Sequence, residues 1–301
     1  MILQGRVGRQ TRKVKQDSGA AGPLLENSAC LSPQPPLVFL HIPKCGGTSI
    51  ETALRRCFRL AGNPHVNPVA SRYAAQIAME RPTNEAFFAR YPLFQQFLLL
   101  FLLADGKDLI SGHLPISHSI LDEFGRSHCF AVVLRDPVER WLSHYIFNKL
   151  QNTDPQVPPC ANSGVDEAEE LKATLASWRG WHLAHIYTIM LSGSCPDVSA
   201  VDAAVIQAMA NLERIRLVGV IERLPEFGRA FAARYHRKLV IPRMNAARTV
   251  AGAEKHLQRL RRLFTPTVRA TIRHLCCDDY RIYERAQQLV DARSRDLKAR
   301  G

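Results

Sequence analysis

The chain has no Cys-x-x-Cys pair, no internal repeat and no uninterrupted apolar stretch long enough to span a membrane. Its eight cysteines (Cys30, Cys45, Cys57, Cys129, Cys160, Cys195, Cys276 and Cys277) lack the spacing of a structural zinc site. Cys57 and Cys129 fall within apolar runs, where cysteine acts as a small hydrophobe. A reduced, cytoplasmic protein is therefore expected, and a Cys160–Cys195 pair is the alternative for an exported one. The first 36 residues lack the apolar core of a secretory signal. The longest apolar run, 93–104, is broken by Gln95 and Gln96 and falls short of the roughly 20 residues that a span requires. It reads as a buried helix, which predicts no transmembrane segment; an interfacial helix in peripheral contact with a membrane is the alternative. Acidic residues are also scarce, with 27 Asp and Glu against 40 Lys and Arg, a formal net charge of +13. That excess suits anionic partners. Nucleic-acid binding would need aromatics interleaved with the basic residues on one face. The Arg-rich region from residue 253 onward has few, so no nucleic acid is expected.

What is present reads as one domain behind a tail. Residues 1–36 are polar and basic, end in Ser32-Pro33-Gln34-Pro35-Pro36 and predict disorder. A domain is expected over 37–298. Leu37-Val38-Phe39-Leu40 reads as a buried strand, followed by a glycine turn and an amphipathic helix over 50–60. The pattern recurs with a strand at 129–134 and a helix opening at Pro137, then a strand at 217–221 and a helix at 224–235. Apolar strands alternating with amphipathic helices predict an α/β fold, a parallel β-sheet flanked by helices on both faces. Residues 151–164 read as a loop, and helices at about 166–177, 178–191 and 199–212 make 151–212 a helical insert.

Two segments carry chemistry. In Leu40-His41-Ile42-Pro43-Lys44-Cys45-Gly46-Gly47-Thr48-Ser49, adjacent glycines let the backbone approach a ligand and aim amide N–H groups at it. Thr48 and Ser49 stand where the helix begins, and Lys44 can reach the same anion. The lysine precedes the glycines and no Gly-x-x-x-x-Gly-Lys-Ser/Thr is present, which disfavours an ATPase or kinase. In Leu134-Arg135-Asp136-Pro137-Val138-Glu139-Arg140-Trp141-Leu142-Ser143-His144-Tyr145, Arg135 leaves a strand end, the usual ligand side of an open α/β sheet. Ser143 follows two helical turns later, and an arginine fork with a hydroxyl suits a phosphate monoester. Asp136 and Glu139 fit helix-capping roles.

The first segment resembles the 5′-phosphosulfate loop of sulfotransferases that use 3′-phosphoadenosine 5′-phosphosulfate (PAPS), the carbohydrate type that includes heparan sulfate 2-O-sulfotransferase and its bacterial relatives. The second resembles that family's 3′-phosphate motif, Arg-Asp-Pro-x-x-Arg-x-x-Ser-x-Tyr. The resemblance implies a P-loop NTPase-like sulfotransferase fold and transfer of a sulfuryl group from PAPS to an acceptor hydroxyl, without a metal. The expected acceptor is a carbohydrate. Alternatives are a lipid or small metabolite as acceptor, or a non-catalytic protein that binds PAPS or its product. The resemblance assigns the 5′ group to Lys44, Cys45, Gly46, Gly47, Thr48 and Ser49, and the 3′-phosphate to Arg135 and Ser143. Arg248 and Thr249 resemble a late loop that closes over the nucleotide. Lys44 would stabilise the leaving oxygen. Among eleven histidines, His113 in Ser111-Gly112-His113-Leu114 exits a short apolar run between the two motifs and is the candidate general base, with His118 next. His41 reads as a hydrogen-bonded core residue. Glu222 and the segment Asp279-Tyr280-Arg281-Ile282-Tyr283 read as structural.

Overall fold

The computed structural model describes residues 34–58, 65–151, 166–242 and 254–299. The tail to residue 33, residues 152–164 of the predicted loop, Cys30, Cys160, Arg248 and Thr249 lie outside them. The first strand, β1 (Leu37–Leu40), is buried along its whole length and leads into α1 (Gly47–Phe58). Then come β2 (His65–Val66), α2 (Pro68–Ala78), α3 (Asn84–Ala104), β3 (Leu109–Gly112), α4 (His118–Phe124), β4 (Cys129–Leu134) and α5 (Pro137–Gln151). The helices α6 (Glu167–Ala176), α7 (Trp178–Ala184), α8 (Ile186–Ser192) and α9 (Val201–Arg214) precede β5 (Leu217–Val220). After a single 3-10 turn at Ile221–Arg223 come α10 (Leu224–Tyr235), α11 (Glu254–Arg262), α12 (Pro266–Leu275) and α13 (Cys277–Ala299).

All strand pairings are parallel, and the spatial order is β2-β3-β1-β4-β5. The expected α/β class is observed. Its strands are buried on both faces, which is why they read as continuous apolar runs. Alternate residues serve alternate cores. Val38, Leu40, Val132 and Val218 join the larger core with Leu99 of α3, Trp141 of α5, Tyr187 of α8 and Ile282 of α13. Leu37, Phe39, Ala131 and Val133 join the smaller one with Ile50 and Leu54 of α1 and Phe227 and Phe231 of α10. The chain leaves β1 toward β2 on one side, and leaves β4 toward β5 on the other. The carboxyl ends of β1 and β4 therefore border the switch point where open α/β sheets bind ligands.

Three elements, β2, α2 and α4, were not anticipated. A two-residue strand is too short to show a period, and α4 spans only two turns. The helix expected over 178–191 is two helices broken at His185, whose Nδ1 pairs with the Trp181 carbonyl at 2.8 Å. The expected third strand stops at Val220 rather than 221. The helices of the 151–212 region belong to the main core: buried Asp279 of α13 accepts bonds from the backbone amides of Tyr187 (2.8 Å) and Thr188 (2.9 Å) and from the Thr188 hydroxyl (2.9 Å).

The run 93–104 lies in α3, but the helix is not simply buried. Gln95 and Gln96, the only polar residues of that run, face inward; their amides donate to the carbonyls of His113 (2.6 Å) and Gly193 (2.6 Å). Leu93, Phe97 and Phe101 face outward and are 55%, 60% and 70% exposed. The amides are needed inside because those two carbonyls end their elements and require donors. The contrast gives a stability test by urea denaturation. Leu99→Ala, which empties a fully buried site, is expected to cost about 3 kcal/mol. Phe101→Gln, on the outer face, is expected to stay within about 0.5 kcal/mol of the parent.

Candidate active site

The loop between β1 and α1 is shaped by two left-handed residues. Lys44 has φ of 66° and Gly46 has φ of 71°. Glycine takes that conformation freely, whereas lysine does so at a cost of order 1 kcal/mol, and such strain gathers at ligand sites. Gly47 is required for a different reason: a Cβ there would lie 2.0 Å from Cδ2 of His41. The Gly46 carbonyl accepts from the amides of Ser49 (3.1 Å) and Ile50 (3.3 Å), so α1 begins here and its positive end opens at the loop. Thr48 is exposed and Ser49 half-buried. Cys45 is turned inward, with Sγ 3.5 Å from the Tyr187 hydroxyl, and burial pushes its thiol up to about 11. Only its backbone can meet a ligand.

The Lys44 ammonium lies 3.9 Å from the centroid of Phe147 on α5. Burial, then the nearby Arg135 guanidinium, lowers its pKa from 10.5 to about 8. Arg135 leaves the end of β4 and donates from Nη1 to the Lys44 carbonyl at 3.4 Å, so the two sequence motifs meet in space. Its Nη2 is 3.7 Å from Glu139. Tyr187 locks this junction: its hydroxyl donates to the Arg135 carbonyl and accepts from the Arg135 amide at 3.0 Å. Ser143 is half-buried on α5. Arg140 is fully buried, donates to the Leu183 carbonyl and lies 5.5 Å from the Tyr187 ring centroid. It supports the site from beneath as a structural cation.

His113 follows the last residue of β3, half-buried, with its ring 4.9 Å from that of His41 at 77°. Burial, with the neighbouring His41 and His65, lowers its pKa to about 3, so the imidazole is neutral and, in this state, only weakly basic. His118 lies instead on the surface, paired with Arg214 of α9 at 3.0 Å. Asp136 accepts from the Glu139 amide (3.0 Å) and from the Tyr280 hydroxyl (2.8 Å). Glu222 accepts from the Asp136 amide (3.1 Å) and from the Tyr283 hydroxyl (3.0 Å). These are the structural roles expected of them.

Sequence reasoning missed two residues that organise this cleft. Tyr187 carried no signal, because its partners lie far away in the chain. Glu51 carried one: an acid beside Ile50 and one turn before Leu54 falls on the apolar face of α1. It is 7% exposed and accepts from His41, His65, Ser111 and Arg55. Burial pushes its carboxyl up, but those four hydrogen bonds together hold it well below the usual carboxylate range.

Strained loop, helix terminus, Lys44 and Arg135 together suit a tetrahedral oxyanion. Because Lys44 is charged below about pH 8 and neutral above it, sulfate affinity is expected to decline as pH rises through 8. Sulfate itself does not titrate there. Calorimetry between pH 6.5 and 9.5 checks this, and Lys44→Met is expected to bind more weakly with a flat profile. No protein-family model matches the chain, and no curated protein matches it.

Proposed function

We propose that the protein is a PAPS-dependent sulfotransferase of P-loop NTPase-like fold acting on an acceptor hydroxyl, with a carbohydrate as the acceptor class. The observation that carries the reading is the Arg135–Lys44 contact, which unites the two motifs that resemble the family's 5′ and 3′ phosphate sites. The strand order, with the phosphate loop after the central β1, supports the proposed topology.

In the proposed reaction the acceptor oxygen attacks sulfur in line. An O–S bond forms as the bond from sulfur to the 5′-phosphate oxygen breaks, and that oxygen keeps the electron pair. The acceptor proton passes to His113. Lys44, at the loop that holds the 5′ group, stabilises the departing oxygen. Burial is the main cause of the low basicity of His113; His41, His65 and, least of them, Lys44 add to it, and Glu51 opposes it. An anionic donor against Lys44 offsets that cation and adds a negative charge near the imidazole, which acts with Glu51 to raise its pKa. Ser143 and Arg135 take the 3′-phosphate.

A second reading of the acceptor, a lipid-borne hydroxyl, is favoured by α3. Its inner Gln95 holds the His113 carbonyl while its outer face presents Leu93, Phe97 and Phe101 to solvent. That face would rest in the headgroup region of a bilayer.

Calorimetry with adenosine 3′,5′-bisphosphate tests the cofactor site. Micromolar or tighter binding is expected, weakened about 30-fold in Arg135→Ala, since a charge-assisted phosphate contact contributes roughly 2 kcal/mol. His113→Ala should bind the nucleotide normally and lose transfer of labelled sulfate from PAPS. A folded wild type that does not bind ends the reading. Co-sedimentation with vesicles containing acidic lipid separates the acceptor readings. Binding that Phe97→Glu/Phe101→Glu abolishes supports the lipid-borne acceptor, and no sedimentation supports the soluble glycan.

A further inference from the structure

An anion buried beneath a site built to hold anions needs a reason, and Glu51 is such an anion. Four donors converge on it from four segments: the loop after β1, α1, β2 and β3. His41 Nδ1 lies 3.3 Å from Oε2. His65 Nδ1 (2.7 Å), Ser111 Oγ (2.8 Å) and Arg55 Nε (3.0 Å) converge on Oε1. Neutralising the carboxylate would take only Arg55, one turn along α1. The two imidazoles do something further. Holding Nδ1–H of His41 fixes its tautomer and the plane of its ring. That ring meets His113 edge-to-face at 4.9 Å, and Gly47 packs against its other edge, where no Cβ could fit. His41 is thus clamped between the phosphate loop and His113.

Among the described residues, the charged and titratable groups that face His113 are Lys44 and His41 from the loop after β1, Glu51 with its partner Arg55 from α1, and His65 from β2. From α3 comes only the neutral Gln95, on the backbone carbonyl. Among these groups Glu51 alone is an anion. When His113 takes the acceptor proton, a second cation appears beside Lys44, and Glu51 is the charge that offsets it.

We propose that Glu51 and His41 are positioning residues for His113: Glu51 fixes the His41 ring, His41 fixes the His113 ring, and the carboxylate stabilises the His113 imidazolium that forms during transfer. No proton travels along the chain of groups; it remains on His113 until it passes to solvent. This rests on the reading of His113 as the general base.

The test uses full-length Glu51→Gln, which keeps the shape and removes the charge. The turnover number kcat is expected to fall about 100-fold, with the donor KM and the affinity for adenosine 3′,5′-bisphosphate within about 2-fold of wild type. Glu51→Asp should recover most of the loss. Long-range 1H–15N NMR should show His41 as the Nδ1–H tautomer in the wild type and a changed tautomer population in Glu51→Gln. In the nucleotide-bound protein, His113 should titrate at lower pH in the variant than in wild type. An unchanged kcat, tautomer and titration would overturn the proposal. If Glu51→Gln does not fold, His41→Asn carries the kcat and His113 titration measurements with the carboxylate in place. A wild type that binds no nucleotide overturns the sulfotransferase reading instead, and the His41 spectra of the free protein still decide whether Glu51 sets its tautomer.

Discussion

The hydroxyl of Tyr187 is the tie on which the cleft depends. It bonds both the amide and the carbonyl of Arg135 and touches the Cys45 thiol, so one oxygen fastens the end of β4 to the loop after β1. Arg135 and Lys44 keep their mutual spacing only while those two strand ends keep theirs. Tyr187 is held in turn by Asp279, which receives its amide and both donors of Thr188. A buried carboxylate on α13 thereby sets the position of α8, and α8 sets the cleft. Removing one partner from such a buried network strands the others, which makes the cleft rigid.

Charge accounts for the second level of organisation. Lys44, Arg135 and Arg140 gather around the loop, and burial of the lysine already brings its pKa close to neutrality. Placing like charges together in a partly dry site is costly, and the cost is offset when an anion enters. Glu51 and Asp279 are the buried anions on the two sides of this cluster. Each is dressed with several hydrogen-bond donors of its own. Arg140 is tied to the Leu183 carbonyl, which leaves Lys44 and Arg135 as the cations at the loop.

The fold class was legible because β1 and β4 are short, wholly apolar runs that each lead into a helix. The two anion segments were legible because loop chemistry is local: Gly46 supplies a left-handed φ, and Gly47 a missing Cβ, within a few residues of Lys44. His113 was legible as a histidine leaving a short strand between the two motifs; that this strand neighbours β1, which brings the ring to the loop, came only with the packed sheet. The role of α3 was not legible, because a helix apolar on every side has no period that tells inside from outside. Its two glutamines would ordinarily be assigned to solvent, yet they point at carbonyls whose location depends on the packed sheet.

By itself the sequence determined the α/β layering, the loop that can cradle an oxyanion and the residue types that surround it. These follow from backbone sterics and hydrophobic period, which act over a turn or a strand. The tertiary structure alone decided that Arg135 reaches the Lys44 carbonyl, that Tyr187 ties the two segments, and that Glu51 gathers histidines from separate elements. Such contacts join residues tens of positions apart, and their geometry exists only once both cores have closed on the sheet.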